Sequence, residues 1–240
     1  MHWFFTPWGA VLTIICVVHF IRRRPNTVWL WVILGLGWIG ASAYILIEIV
    51  PDLGLDRPFR SYFVLRKRIE LLDREVQQNP SAGNYEDLGL ALLDDQQYAR
   101  ARECYEKAIT PRTTHIDPYY RRALCEIALH DMPGALADLE RVIQKEPAYD
   151  FQRAPGLLAH VYDALGRDEE AAALFTSTLE HTTLSETQSN YAAFLLKVGR
   201  KQEAKDWAQK VLDKRSSMAA YMRRRDSEWF GKAKGILKKV

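Results

Sequence analysis

Cysteine is scarce in this chain of 240 residues. The three present, Cys16, Cys104 and Cys125, show no CxxC spacing. That excludes a disulfide framework and a cysteine zinc site, and it fits a reducing compartment. The short motifs of catalysis and phosphate binding are missing too: there is no glycine-rich phosphate loop, no GxSxG and no HExxH. His160 and Asp163 are spaced to meet on a helix, but no third ligand or nucleophile joins them. His130-Asp131 falls where a turn between helices is expected. No catalytic residue, metal or cofactor is therefore expected, and the chain reads as a binding protein, not an enzyme. Charge is almost absent from the first 50 residues: none lies between Trp3 and Ile21, and only Glu48 between Val28 and Val50.

What those apolar stretches offer is length. At 1.5 Å per helical residue, spans of about 3–21 and 28–50 suit a bilayer core of ~30 Å. Trp3, Phe4, Phe5 and Trp8 gather at one boundary and Trp29 and Trp31 at the other, where aromatic belts are found. The link Arg22-Arg23-Arg24-Pro25-Asn26-Thr27 suits a tight hairpin. Nothing basic precedes Trp3, so the first stretch reads as an anchor and not a cleaved signal. Gly37, Gly40 and Ala41 put small residues on one side of the second helix, which lets backbones approach closely. Five basic residues follow the hairpin (Arg57, Arg60, Arg66, Lys67, Arg68) against three in its loop, and this count places the remainder in the cytoplasm.

Pro51, Gly54 and Pro58 mark a boundary, so residues 51–80 read as a linker and a juxtamembrane helix. Leu65, Ile69, Leu72 and Val76 recur at helical spacing from about Ser61 to Gln78, ended by Asn79-Pro80. Arg60, Arg66, Lys67 and Arg68 at its start suit anionic headgroups; the other use of this helix is to cap the N-terminal end of a helical array.

Beyond residue 80 the dominant feature is repetition. Ala101, Ala135, Ala171 and Ala204 follow one another at intervals of 34, 36 and 33 residues. Around them recur Tyr85, Leu88, Gly89 and Tyr105; Tyr119, Ala123 and Leu139; Leu158, Ala159, Tyr162 and Phe175; Tyr191, Ala192, Leu195 and Val211. This pattern resembles the tetratricopeptide repeat, four units over residues 81–213. One departure stands out: Arg122 occupies a leucine position, and Leu124 is the nearest substitute. The resemblance implies an all-α solenoid that binds a protein or peptide in its concave groove. It places Glu86, Asp87 and Leu90, then Tyr120, Arg121, Leu124 and Ile127, then Arg153, His160 and Asp163, and finally Ser189, Asn190, Ala193 and Lys197 on that groove. Apolar centres with charged rims suit an amphipathic helix or extended peptide.

The run from Arg22 to Glu48 is similar to the two-span N-terminal domain of cardiolipin synthases and related phospholipase-D-type proteins, carried by Arg23, Arg24, Pro25, Trp31, Gly40 and Tyr44. That resemblance implies a bacterial inner-membrane anchor. The family's catalytic His-x-Lys is missing, so lipid chemistry is not implied.

Residues 214–240 hold nine basic and two acidic residues and are expected to form one capping helix from about Ser216 to Lys238, whose Met218, Tyr221, Met222, Trp229 and Ile236 cover the last apolar surface of the solenoid. No nucleic-acid module accompanies this basic tail. The sequence thus points to an all-α, membrane-anchored adaptor: a transmembrane hairpin (1–50) followed by the solenoid. The alternative is a non-catalytic accessory subunit of cardiolipin-type phospholipid metabolism that senses anionic lipid.

Overall fold

The computed structural model describes residues 7–23, 27–49 and 57–240. Trp3, Phe4, Phe5, Arg24, Pro25, Pro51 and Gly54 lie outside the described residues, as do the side chains of Trp8, Arg23 and Arg60. The described elements are all helical, with no strand among the described residues. They divide into two units, Met1–Arg68 and Ile69–Val240.

The first unit holds α1 (Pro7–Arg23) and α2 (Val28–Tyr44), the latter continuing into a π-helical turn, Ile45–Ile49. Among the described residues no helix is long and apolar enough to cross a membrane. The described helices thus fall short of the two expected spans. α1 and α2 have 17 residues each, which gives about 26 Å of helix. α2 is also bent: Gly37 has φ 56° and ψ −129°, outside the helical region. The bend is sharp enough that a β-carbon on Gly40 would collide with the Val32 carbonyl oxygen. Gly37 and Gly40 thus serve close approach, but within one folded helix. The unit has an apolar interior and an apolar exterior. Inside are Cys16, Ile33, Ala41, Tyr44 and Ile49, joined by polar contacts: His19 Nδ1 to Tyr44 Oη at 2.9 Å and Trp29 Nε1 donating to Glu48 at 2.8 Å. Outside are Ile14, Val18, Ile21, Trp31, Ile39 and Leu46.

α3 (Arg57–Gln78) contains the division between the units. It starts earlier than the sequence suggests and ends before Pro80 as expected. Ile69 is buried, while Leu71 is exposed.

In the second unit, helices follow in pairs: α4 (Ala82–Asp94) with α5 (Tyr98–Ala108), α6 (Asp117–Ala128) with α7 (Met132–Lys145), α8 (Arg153–Ala164) with α9 (Asp168–His181), and α10 (Ser185–Lys197) with α11 (Lys201–Asp213). Local chemistry sets the starts. Ser81 accepts from the Asn84 amide and Asp131 from the Gly134 amide, satisfying donors that a helix N-terminus leaves free. The turn inside each pair repeats one device. Gln96, His130, Gly166 and Gly199 have positive φ of 59°, 62°, 75° and 83°. The next amide then bonds back across the turn, as Gln97 to Leu92 and Arg167 to Tyr162, both at 2.9 Å. Ala101, Ala135, Ala171 and Ala204 are fully buried at the helix crossings. Gly89 faces the Tyr105 ring, where a β-carbon would come within 2.9 Å. Apolar faces merge from pair to pair: Tyr120, Leu139 and Val142 share a core with Leu158 and Val161, and Phe175, Tyr191 and Leu195 share another with Val211 and Phe230.

Arg122 is accommodated by a second buried charge. Its guanidinium donates twice to Asp138, both at 2.7 Å, and Asp138 is 4% exposed. Leu124 is half-buried and packs against the edge of that core.

The terminal helix is not continuous. A 3-10 turn (Lys214–Ser216) and α12 (Ala220–Arg225) precede α13 (Ser227–Leu237), with the break at Asp226. Phe230, Ala233 and Ile236 of α13 join the last core. Tyr221 does not cover it but stands exposed.

Candidate functional site

The first helices of the pairs line one face of the second unit. Two adjoining cavities occur there, of about 810 and 690 Å³. They share Leu93, Leu124 and Arg153, so they form one groove.

The first cavity is built where α6 meets α8. Tyr120 and Tyr149 pack edge to face at 4.9 Å. Tyr120 donates to Asp150 at 2.5 Å and Tyr149 to Asp117 at 2.6 Å. Asp117 also accepts from Arg121 at 2.5 Å, and Arg153 donates to Glu186 at 2.6 Å. Burial pushes both tyrosine phenols well above their ordinary range, reinforced by their carboxylate partners, so they remain donors. Burial alone would lower the Arg153 pKa, but Glu186 more than offsets it. Arg121 and Arg153 are thus neutralised inside the wall.

The connection before α8 is unusual. Asp150, Phe151 and Gln152 take successive positive φ values of 50°, 52° and 70°. None is glycine, and such backbone costs on the order of 1–3 kcal/mol per residue. The Tyr120 bond to Asp150 helps hold it. Its effect is to project Phe151 into solvent, 89% exposed, at the lip of the groove.

The second cavity extends from Leu93 and Ile127 past Leu157 to His160, Asn190 and α13. Lys232 donates to Asn190 at 2.7 Å and lies 6.0 Å from the Trp229 ring. Ser189 donates to the Trp229 carbonyl at 3.2 Å, tying α13 to α10. Burial lowers the Lys232 pKa. His160 is pushed down to about 4, by burial and then by Lys232, so its ring is neutral at pH 7.

Of the residues that sequence places on the groove, Leu90, Tyr120, Arg121, Leu124, Ile127, Arg153, His160 and Asn190 line these cavities. Glu86, Asp87, Asp163, Ser189, Ala193 and Lys197 do not: Glu86 pairs with His115 at 3.0 Å, and Lys197 pairs with Asp163 and Asp168 at 2.9 and 2.7 Å. Among the basic residues assigned to lipid, Arg66 lies over the Tyr62 ring at 5.1 Å, and Lys67 and Arg68 are exposed beside it. The sequence reading missed the Tyr149-Asp150-Phe151 connection and α13 as a groove wall. The first left a trace, since it falls within the longest interval between the marker alanines, Ala135 to Ala171.

Residues 82–110 match the tetratricopeptide repeat family. No curated protein matches the chain. Solved structures match more broadly. MamA from Desulfovibrio magneticus RS-1 is 18% identical over 69% of this chain and 94% of that one, with a TM-score of 0.58. YrrB, described as a TPR protein with an unusual peptide-binding site, is 18% identical over 72% and 90%, TM-score 0.54. A thermophilic TPR protein of Thermus thermophilus, TTC0263, is 19% identical over 73% and 95%, TM-score 0.53. The likeness is one of fold: the second unit is a tetratricopeptide solenoid.

Proposed function

We propose that this protein is a membrane-attached scaffold whose solenoid groove holds a peptide segment of a partner protein. The observation that carries the reading is the continuous groove from Leu90 to Lys232, with an apolar floor and its charges mostly paired within the wall. Such a surface suits a segment with apolar anchors and a few polar contacts. YrrB, of the same fold, is described as having a peptide-binding site. Attachment acts through effective concentration, raising encounter with other membrane proteins without any new contact. Tyr120→Ala and Leu124→Glu are expected to abolish partner capture while the helical content stays intact. Unchanged capture by both variants would refute the groove reading.

Attachment is assigned to the first unit because Ile14, Val18, Ile21, Trp31, Ile39 and Leu46 stand exposed along its helices, an apolar surface that suits lipid. A bent hairpin of this length inserts into a bilayer without requiring two straight spans. The solenoid is placed on the cytoplasmic side by the basic residues after the hairpin. Deleting residues 1–56 is expected to move the protein from the membrane fraction to the soluble one, and protease added to intact cells is expected to spare the solenoid. The accessory role in phospholipid metabolism finds support in the exposed Tyr62-Phe63-Val64 edge beside Arg66, Lys67 and Arg68. Preferential binding of cardiolipin vesicles, lost on charge reversal of those three, would favour it.

A further inference from the structure

Lys232 is the one groove cation left without an acidic partner among the described residues. Arg121 has Asp117, and Arg153 has Glu186. Lys232 is bonded only to the neutral amide oxygen of Asn190, at 2.7 Å. It stands on α13, outside the repeats, and projects into the second cavity between Asn190, His160 and Trp229. Nearby carboxylates do not complete it. Asp163 is bonded to Lys197 and Glu186 to Arg153. Glu228, one turn earlier on the same helix, lines the same cavity and attracts Lys232 at a distance, but it is exposed and forms no ion pair with it among the described residues. A desolvated ammonium facing a neutral oxygen is costly, and an incoming anion would offset that cost.

Resting on the groove reading above, the geometry points to a partner segment that is amphipathic and delivers a carboxylate to Lys232, with apolar residues seated on Leu93, Leu124 and Leu157. Trp229 walls the site and limits water, which strengthens the ion pair. Asn190 positions the ammonium, and His160, being neutral at pH 7, adds no competing charge. The carboxylate comes from an Asp or Glu side chain or from a chain end.

The test uses full-length protein in detergent micelles and a twelve-residue random peptide library displayed with free C-termini. Selected peptides are then synthesised as free acids and as C-terminal amides. The expected peptides carry an acid at a fixed distance from an apolar pair. Neutralising that acid is expected to weaken binding roughly ten- to hundredfold, the range for a hydrogen bond to a charged group. Lys232→Gln should show the same loss for the acidic peptide and little further loss for the neutralised one, while Lys232→Glu should select basic residues at that position. Loss on amidation identifies a chain end; survival identifies a side chain. Peptides whose binding is abolished by Leu124→Glu but is indifferent to Lys232 would overturn this inference and leave the groove reading standing. Failure to select any peptide, or selection of peptides indifferent to Leu124→Glu, would overturn both.

Discussion

Glu126→Gln is expected to stabilise the solenoid, and to do so only above a certain pH. Glu126 sits on α6, 6% exposed, against α7. Arg122 is its closest cation at 3.8 Å, but that guanidinium is committed to Asp138. The Glu126 Oε2 atom is buried without a hydrogen-bond partner. Burial, reinforced by the Asp138 charge, pushes its carboxyl up to about 7 from an ordinary 4.5. The folded state therefore holds this proton more tightly than the unfolded chain does. Stability from this group is complete below the unfolded pKa and is lost as pH rises through the folded one. Each pKa unit corresponds to about 1.4 kcal/mol, so the ionised carboxylate costs on the order of 3 kcal/mol at pH 8. Glutamine matches its shape and never ionises. In a solenoid of this size the gain corresponds to a rise of roughly 6–12 °C in melting temperature at pH 8, shrinking towards zero at pH 4. Melting both proteins across that pH range by circular dichroism gives the difference directly. A variant less stable than the parent at pH 8, or a difference independent of pH, would refute this reading of the α6–α7 interface.

Arg122→Leu restores the apolar residue usual at that position but strands Asp138, and is expected to cost about 3–5 kcal/mol. Adding Asp138→Leu should recover most of it, which denaturant titration of the single and double variants would show. Gln96→Gly removes a side chain from a left-handed turn and is expected to gain about 0.5–1 kcal/mol, whereas Gly166→Ala, at the equivalent turn, should lose a similar amount; melting temperatures moving in opposite directions would confirm the shared geometry. Phe151→Ser should leave stability nearly unchanged, since the ring is solvated, yet weaken partner binding severalfold in the same capture assay.

The repeats were legible because close helix crossings demand small residues. Ala101, Ala135, Ala171 and Ala204 announce them, and Gly166 and Gly199 mark two of the four turns. Gln96 and His130 occupy the same backbone region without glycine, so composition alone conceals those turns. Arg122 was visible as a departure, but its compensation by Asp138 depends on two helices meeting and has no local signature. The groove residues on α4, α6, α8 and α10 follow from periodicity. Lys232 and Trp229 do not, because α13 lies outside the repeat and its register is fixed by Phe230, Ala233 and Ile236 packing on the last pair. The hairpin shows the opposite failure. Hydropathy suggests two membrane spans, whereas the backbone freedom of Gly37 puts a kink in α2.

Site-specific photocrosslinking in living cells tests the central claim most directly. A photoreactive amino acid at position 124 lies on the groove floor; one at position 205 lies exposed on a second helix, α11. Position 124 is expected to yield a discrete protein adduct that disappears when Tyr120→Ala is added, while position 205 yields none. Adducts of equal intensity from both positions, or an adduct from 205 alone, would contradict the assignment of the groove as the binding surface.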